Sequence, residues 1–223
     1  GSIFSGWILL LFCGFLLTGT MFFFPAPRLQ AQPPGPARPR LLSVEALHED
    51  VQKTHSLLEE MHPGLHLYVK PGELARQFDA VSASIDRPLT PSQFLVKLAP
   101  PIESIRCGHT YLMPPPAQVQ MSQRRGRLFP LPILFIEGVA VVDHKKASLP
   151  LGTVILAIND ISMEELAKQL QPLVPCDGFV VSSRLTNLAV EFADAYAIAL
   201  GQPRSFHVRY RLHGTEELLT RSL

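Results

Sequence analysis

Apolar residues recur at helical spacing in the first half of the chain and at strand spacing in the second. Val44, Leu47, Val51, Leu58 and Met61 fall at steps of three, four and seven, which predicts an amphipathic helix. Ser43 suits its N-cap, Glu45 favours the dipole in its first turn, and His62-Pro63-Gly64 ends it. A second helix follows Pro71-Gly72, with Leu74, Phe78, Val81 and Ile85 inward. Thr90-Pro91 opens a third, Thr as cap and Pro at the first helical position. Its face is Phe94, Leu98, Ile102 and Ile105, and Pro100-Pro101 predict a kink or an interruption.

Beyond this helical unit the period shortens. Tyr111-Leu112-Met113 reads as a short strand closed by Pro114-Pro115-Pro116. Residues 117–127 read as an exposed loop in which Arg124, Arg125 and Arg127 are solvated charge. Ile133 to Ile136 and Val139 to Val142 flank Glu137-Gly138, a hairpin signal. Leu151 to Ile158 predicts a strand ending in the Asn159-Asp160 turn. Ser162 caps a helix with Met163, Leu166 and Leu170 inward, and a longer helix spans about 182–200 with Gly201 as its stop. That longer helix faces inward through Leu185, Leu188, Phe192, Tyr196 and Ala199. Phe206 to Tyr210, a turn at His213-Gly214-Thr215, and Leu218-Leu219 form a closing hairpin.

The start of the chain follows neither period. Ile3 to Phe24 is 22 residues without a charge, long enough to span a hydrocarbon core. No basic residue precedes it, the chain begins with Gly1 rather than Met, and a cleavage site is available at Ala31. Cleavage as a signal and retention as a membrane anchor both stay open, and either implies export. The expected organisation is therefore α+β: residues 1–31 as signal peptide or anchor, 32–42 as a Pro-rich linker, 43–116 as a small N-terminal helical cap ending in a short strand, and 117–223 as a β-rich module with inserted helices.

Composition narrows function. Twenty Lys plus Arg against 19 Asp plus Glu leave a net charge of +1, which gives no electrostatic case for nucleic acid. Hydrophobic residues make up 47%, as in a folded globular chain. Beyond the leader two cysteines remain, Cys107 and Cys176; an oxidising compartment would let them pair, while buried free thiols are the preferred reading. No Walker, Rossmann or zinc-finger pattern is present, so no cofactor is expected. His62 and His66 have H-x3-H spacing, but Pro63-Gly64 breaks the helix that zinc ligation would need. Cys107 and His109, two apart on an expected strand, would face one side without a further Cys or His pair to complete a metal set, so no metal is expected. The same parallel placement argues against Cys107 as a nucleophile served by His109.

Three stretches, taken in order, resemble the N-terminal half of the tail-specific serine peptidases, the C-terminal processing and tricorn-type family. They are Leu58-Glu59-Glu60-Met61-His62-Pro63-Gly64, then Cys107-Gly108-His109-Thr110, then Gly152 to Asn159, which is similar to a PDZ-like G-x-x-I-L-x-I-N strand. The resemblance covers about 43–223 and implies that the β-rich module is PDZ-like. It implies a serine-type peptidase, with His109 as catalytic general base for a serine in a C-terminal peptidase core beyond residue 223. The chain departs from the tricorn-type pattern at Gly108, where that pattern has serine. Ser182-Ser183 lack a Gly-x-Ser-x-Gly turn and read as a helix cap. The resemblance also implies a polypeptide substrate or protein C-terminus as partner, added to a sheet edge, although Leu149-Pro150-Leu151-Gly152 offers no Gly-rich carboxylate loop. A peptide-binding or scaffolding protein without catalysis is the competing expectation.

Overall fold

A computed structural model of the chain describes residues 41–114 and 128–223. The expected leader or anchor, most of the Pro-rich linker and the arginine loop at 117–127 lie outside the described residues. Among the described residues no helix is long and apolar enough to cross a membrane.

Among the described residues, five helices and a six-stranded antiparallel sheet make an α+β fold with two hydrophobic clusters. The first cluster lies among α1 (Val44–Met61), α2 (Pro71–Ala83) and α3 (Pro91–Ser104). Ser43 caps α1 through a bond from the Ala46 N–H, and Thr90 with Gln93 forms a capping box on α3. The inward faces are Leu47, Val51 and Leu58 from α1, Leu74, Phe78 and Val81 from α2, and Phe94, Leu98 and Ile102 from α3. Met61, expected inward, is instead 53% exposed at the last position of α1. Leu42 was expected to close the linker. It is instead buried, and exchanges two backbone hydrogen bonds with Leu89.

Of the kink or interruption expected at Pro100-Pro101, the interruption is absent: α3 runs through both prolines. Only its last turn follows them. Leu98, Ala99, Pro101 and Ile102 are buried there, so packing holds a turn that local propensity disfavours. Residues 111–114 have no strand pairing, which corrects the expected strand at Tyr111–Met113. Tyr111 and Met113 are both exposed, and apolar texture alone does not supply a neighbouring strand.

The second cluster lies under the sheet, whose order is β1 (Ile133–Ile136), β2 (Val139–Val142), β3 (Val154–Ile158), β5 (His207–Arg211), β6 (Leu219–Ser222), with the two-residue β4 (Ile161–Ser162) also on β3. Glu137 and Gly138 both have positive φ, 50° and 83°, the conformation that a two-residue hairpin matching strand twist demands. Asn159 and Asp160 repeat it, at 48° and 66°, between β3 and β4. Helix α4 (Met163–Leu170), capped by Ser162, runs into a 3₁₀ turn (Gln171–Leu173). Helix α5 (Val181–Leu200) then buries Leu188, Phe192, Ala195 and Tyr196 beneath the sheet. Leu185 and Ala199, expected on that face, are half-buried. Val180, not Ser182 or Ser183, is the N-cap of α5, so both serines sit inside its first turn. The helix thus begins one residue before the expected start.

Candidate functional site

The two clusters meet where α3 ends. Arg106 takes a φ of 54°, uncommon for a side chain with a Cβ, and reverses the chain out of the helix. Residues 107–110 then form a tight turn closed by the Thr110 N–H on the Cys107 carbonyl at 2.9 Å. The expectation of a strand through Cys107 and His109 is corrected here. A turn brings the two side chains together, where a strand would have held them parallel.

Three neighbours fix this turn. From the α1 end, the Gly64 N–H donates to His62 Nδ1 at 3.2 Å. That leaves His62 Nε2 as the protonated nitrogen, donating to Thr110 Oγ1 at 3.0 Å. Two stretches singled out in the sequence, 58–64 and 107–110, are thus in direct contact. From the segment before α5, Gly178 N–H donates to the Arg106 carbonyl at 2.9 Å and Arg106 Nη1 donates back to the Gly178 carbonyl at 3.2 Å. The Arg106 guanidinium also lies 4.1 Å from the centre of the Phe179 ring, which meets Tyr68 edge to face. Finally, Asp177 Oδ1 accepts a 2.6 Å hydrogen bond from the Gly108 N–H.

That last bond accounts for Gly108. A Cβ there would lie 2.7 Å from Asp177 Oδ2 and 2.9 Å from its Cγ. A serine at 108 would displace the carboxylate, so Gly108 and Asp177 belong together.

Beneath the turn lies a second polar layer. Glu103 pairs with Arg184 at 2.5 Å, and Arg106 approaches the same carboxylate at 3.9 Å. Cys176 is buried beside them, with Arg184 Nη2 3.6 Å from its sulfur. Burial raises the Cys176 thiol above its ordinary value, only partly offset by Arg184. Both Cys107 and Cys176 are free thiols, but only Cys176 is buried, so Cys107 departs from the buried thiol expected of it.

His109 itself is exposed and makes no hydrogen bond or ion pair among the described residues. Its ring sits on a turn held from three sides, with the Cys107 sulfur and an Asp177 oxygen within 4.8 Å of an imidazole nitrogen. Chemically the arrangement offers a base, a thiol and a carboxylate in one place. Asp177 was missed by sequence reasoning. It stands far downstream in a stretch without a motif, and only the meeting of the two clusters brings it to Gly108. His66, the other histidine weighed as a ligand, instead binds Glu59 at 2.9 Å and holds its carboxyl below the ordinary range. The third stretch of the resemblance, Gly152 to Asn159, forms β3 and its turn within the sheet.

No family model matches the chain, and no curated protein matches it. Among solved structures, mature CPAF superposes with a TM-score of 0.45 and 12% identity, over 80% of this chain and 34% of that one. Mature CPAF complexed with lactacystin gives 0.49 and 11%, over 81% and 34%. CPAF is a chlamydial serine protease resembling the tail-specific proteases, and the likeness is distant. The chain spans about a third of the length of these structures.

Proposed function

We propose that this chain is the N-terminal part of an exported serine peptidase of the tail-specific type, with His109 as general base. The observation that carries the reading is an imidazole exposed and without a partner among the described residues, on a turn held from three sides. An imidazole with a free nitrogen can take the proton of an attacking hydroxyl. The serine hydroxyl and the oxyanion donors come from polypeptide outside these 223 residues. His109 would accept the serine proton as the tetrahedral intermediate forms and return it to the leaving amine. The β-rich module, read as PDZ-like, would present a polypeptide tail to that centre. Export rests on the uncharged run from Ile3 to Phe24.

The test uses the longest polypeptide encoded by the natural gene. Its casein hydrolysis should fall about 10²–10⁴-fold in kcat/KM on His109→Ala, with labelling of a serine by a fluorophosphonate probe. The 223-residue chain alone should show no turnover. Wild-type hydrolysis by His109→Ala, or turnover by the isolated chain that this substitution abolishes, refutes the split assignment. A second reading, peptide binding without catalysis, is favoured by the position of β1 at the sheet edge. It predicts saturable binding of a fluorescent C-terminal peptide and no serine labelling in the longest polypeptide.

A further inference from the structure

We propose that Cys107, His109 and Asp177 form a binding site for a thiophilic divalent cation, with zinc the ion that fits the donors. The inference does not depend on the peptidase reading, although both use the imidazole of His109. One sulfur, one imidazole nitrogen and one carboxylate oxygen lie within 4.8 Å of one another. Zinc takes these three donors at about 2.3, 2.0–2.1 and 2.0–2.2 Å, so the edges of a tetrahedral site are about 3.3–3.6 Å. Closing from the present separation needs each side chain to move by about 1 Å or less, within the reach of small χ rotations.

Three features favour the site over a chance grouping. The donors stand on backbone that is already fixed: the turn is closed by the Thr110 N–H, and Arg106 and Gly178 clamp its flank. The entropy of ordering the loop is therefore met before any ion arrives. The Asp177 carboxylate is oriented by the Gly108 N–H at 2.6 Å, as ligating carboxylates generally are by their outer partners. The His109 ring has no competing partner among the described residues, so nothing must be broken for it to ligate. A thiolate and a carboxylate together cancel the charge of a divalent ion. The sulfur selects zinc or cobalt over magnesium or calcium. Three protein ligands leave a fourth position for water or for a group from outside. While bound, the imidazole lone pair is committed to the metal and cannot accept a proton, so an occupied site is a blocked base.

Cobalt serves as the spectroscopic probe. Titrated into the reduced 223-residue chain, Co²⁺ should bind with one equivalent, give a thiolate-to-cobalt charge-transfer band in the near ultraviolet, and be displaced by Zn²⁺. Cys107→Ser should abolish the band and Cys176→Ser should keep it. His109→Ala and Asp177→Asn should each weaken cobalt binding at least about tenfold. Circular dichroism checks that each variant is folded; His109→Ala, which removes an exposed and unengaged ring, keeps the test decisive if another variant is not. Absence of the band in the wild type, its persistence in Cys107→Ser, or unchanged affinity in His109→Ala overturns the proposal. None of these readouts measures hydrolysis, so the metal site and the peptidase assignment fail separately.

Discussion

Two sharp turns in this molecule have opposite fates. At Asn159-Asp160 every arm of the lead side chain is used: Asn159 Nδ2 donates to the Tyr196 hydroxyl at 3.0 Å, and Oδ1 accepts from the His207 N–H at 2.9 Å. At Cys107–Thr110 the backbone is equally constrained, yet the imidazole of His109 is left unbound. The first turn spends its polar groups on the fold. The second takes its support from Arg106, Thr110, Gly178 and the Gly108–Asp177 bond, and leaves its reactive atoms free. Rigid backbone with unspent side chains marks a site; rigid backbone with spent side chains marks a structural joint.

The largest expected effect separates the two turns directly. If the proposed function holds, His109→Ala should cost about 10²–10⁴ in kcat/KM for casein hydrolysis by the longest encoded polypeptide while moving Tm by less than about 1 °C, because the ring has no partner among the described residues to lose. Asn159→Ala should do the reverse. It removes two hydrogen bonds and places a β-carbon residue at a φ of 48° without the local polar contact that favours asparagine. The expected loss is about 2 kcal/mol, or roughly 6 °C in Tm, read by thermal denaturation. A His109→Ala protein that melts several degrees lower would make that turn structural and dissolve the contrast.

Gly108→Ala tests the link between turn and carboxylate. The added Cβ forces Asp177 away from a 2.7 Å approach and costs the Gly108 hydrogen bond. Cobalt affinity should fall about tenfold, with stability changing by about 1 kcal/mol. Restoration of the affinity by Gly108→Ala combined with Asp177→Glu, whose longer arm can reach around the Cβ, would sharpen the assignment. Unchanged affinity in Gly108→Ala would show that the carboxylate position does not matter.

The unequal legibility of these regions has a physical basis. The helices and the two tight turns could be read because their signals are local: a cap at Ser43, Thr90 before Pro91, and Glu137-Gly138 and Asn159-Asp160 accepting positive φ. His109 could be singled out from a short stretch of sequence. Its surroundings could not. The strand expected through Cys107 and His109 gives way to a turn because Arg106 reverses the chain through a positive φ that its residue type does not announce. Asp177 could not be paired with Gly108, because their contact depends on how the helical cluster meets the segment before α5. Whether α3 would break at Pro100-Pro101 could not be read for a related reason. Burial of Pro101 and Ile102 outweighs a local rule, and burial is a property of the whole fold.

An unspent polar group in the interior has a different meaning, and Asp50 is the case in point. It lies on the inward side of α1 with 5% exposure, and its Oδ2 atom has no hydrogen-bond partner. Burial raises its carboxyl above the ordinary value near 3.9; Lys53 opposes the shift and Glu49 adds to it. A group that holds its proton more tightly when folded contributes its stability below the unfolded value and loses it as pH rises through the folded one. The native chain should therefore lose stability relative to Asp50→Asn as pH rises from about 3.9, with the difference levelling off once the buried carboxyl is ionised. At pH 7 the variant should be more stable by on the order of 1 kcal/mol, the smallest effect in the series. Parallel Tm–pH curves for the two proteins would show that this carboxylate carries no penalty. A diverging pair would show that exposure decides whether an unbound polar group is a resource, as at His109, or a cost.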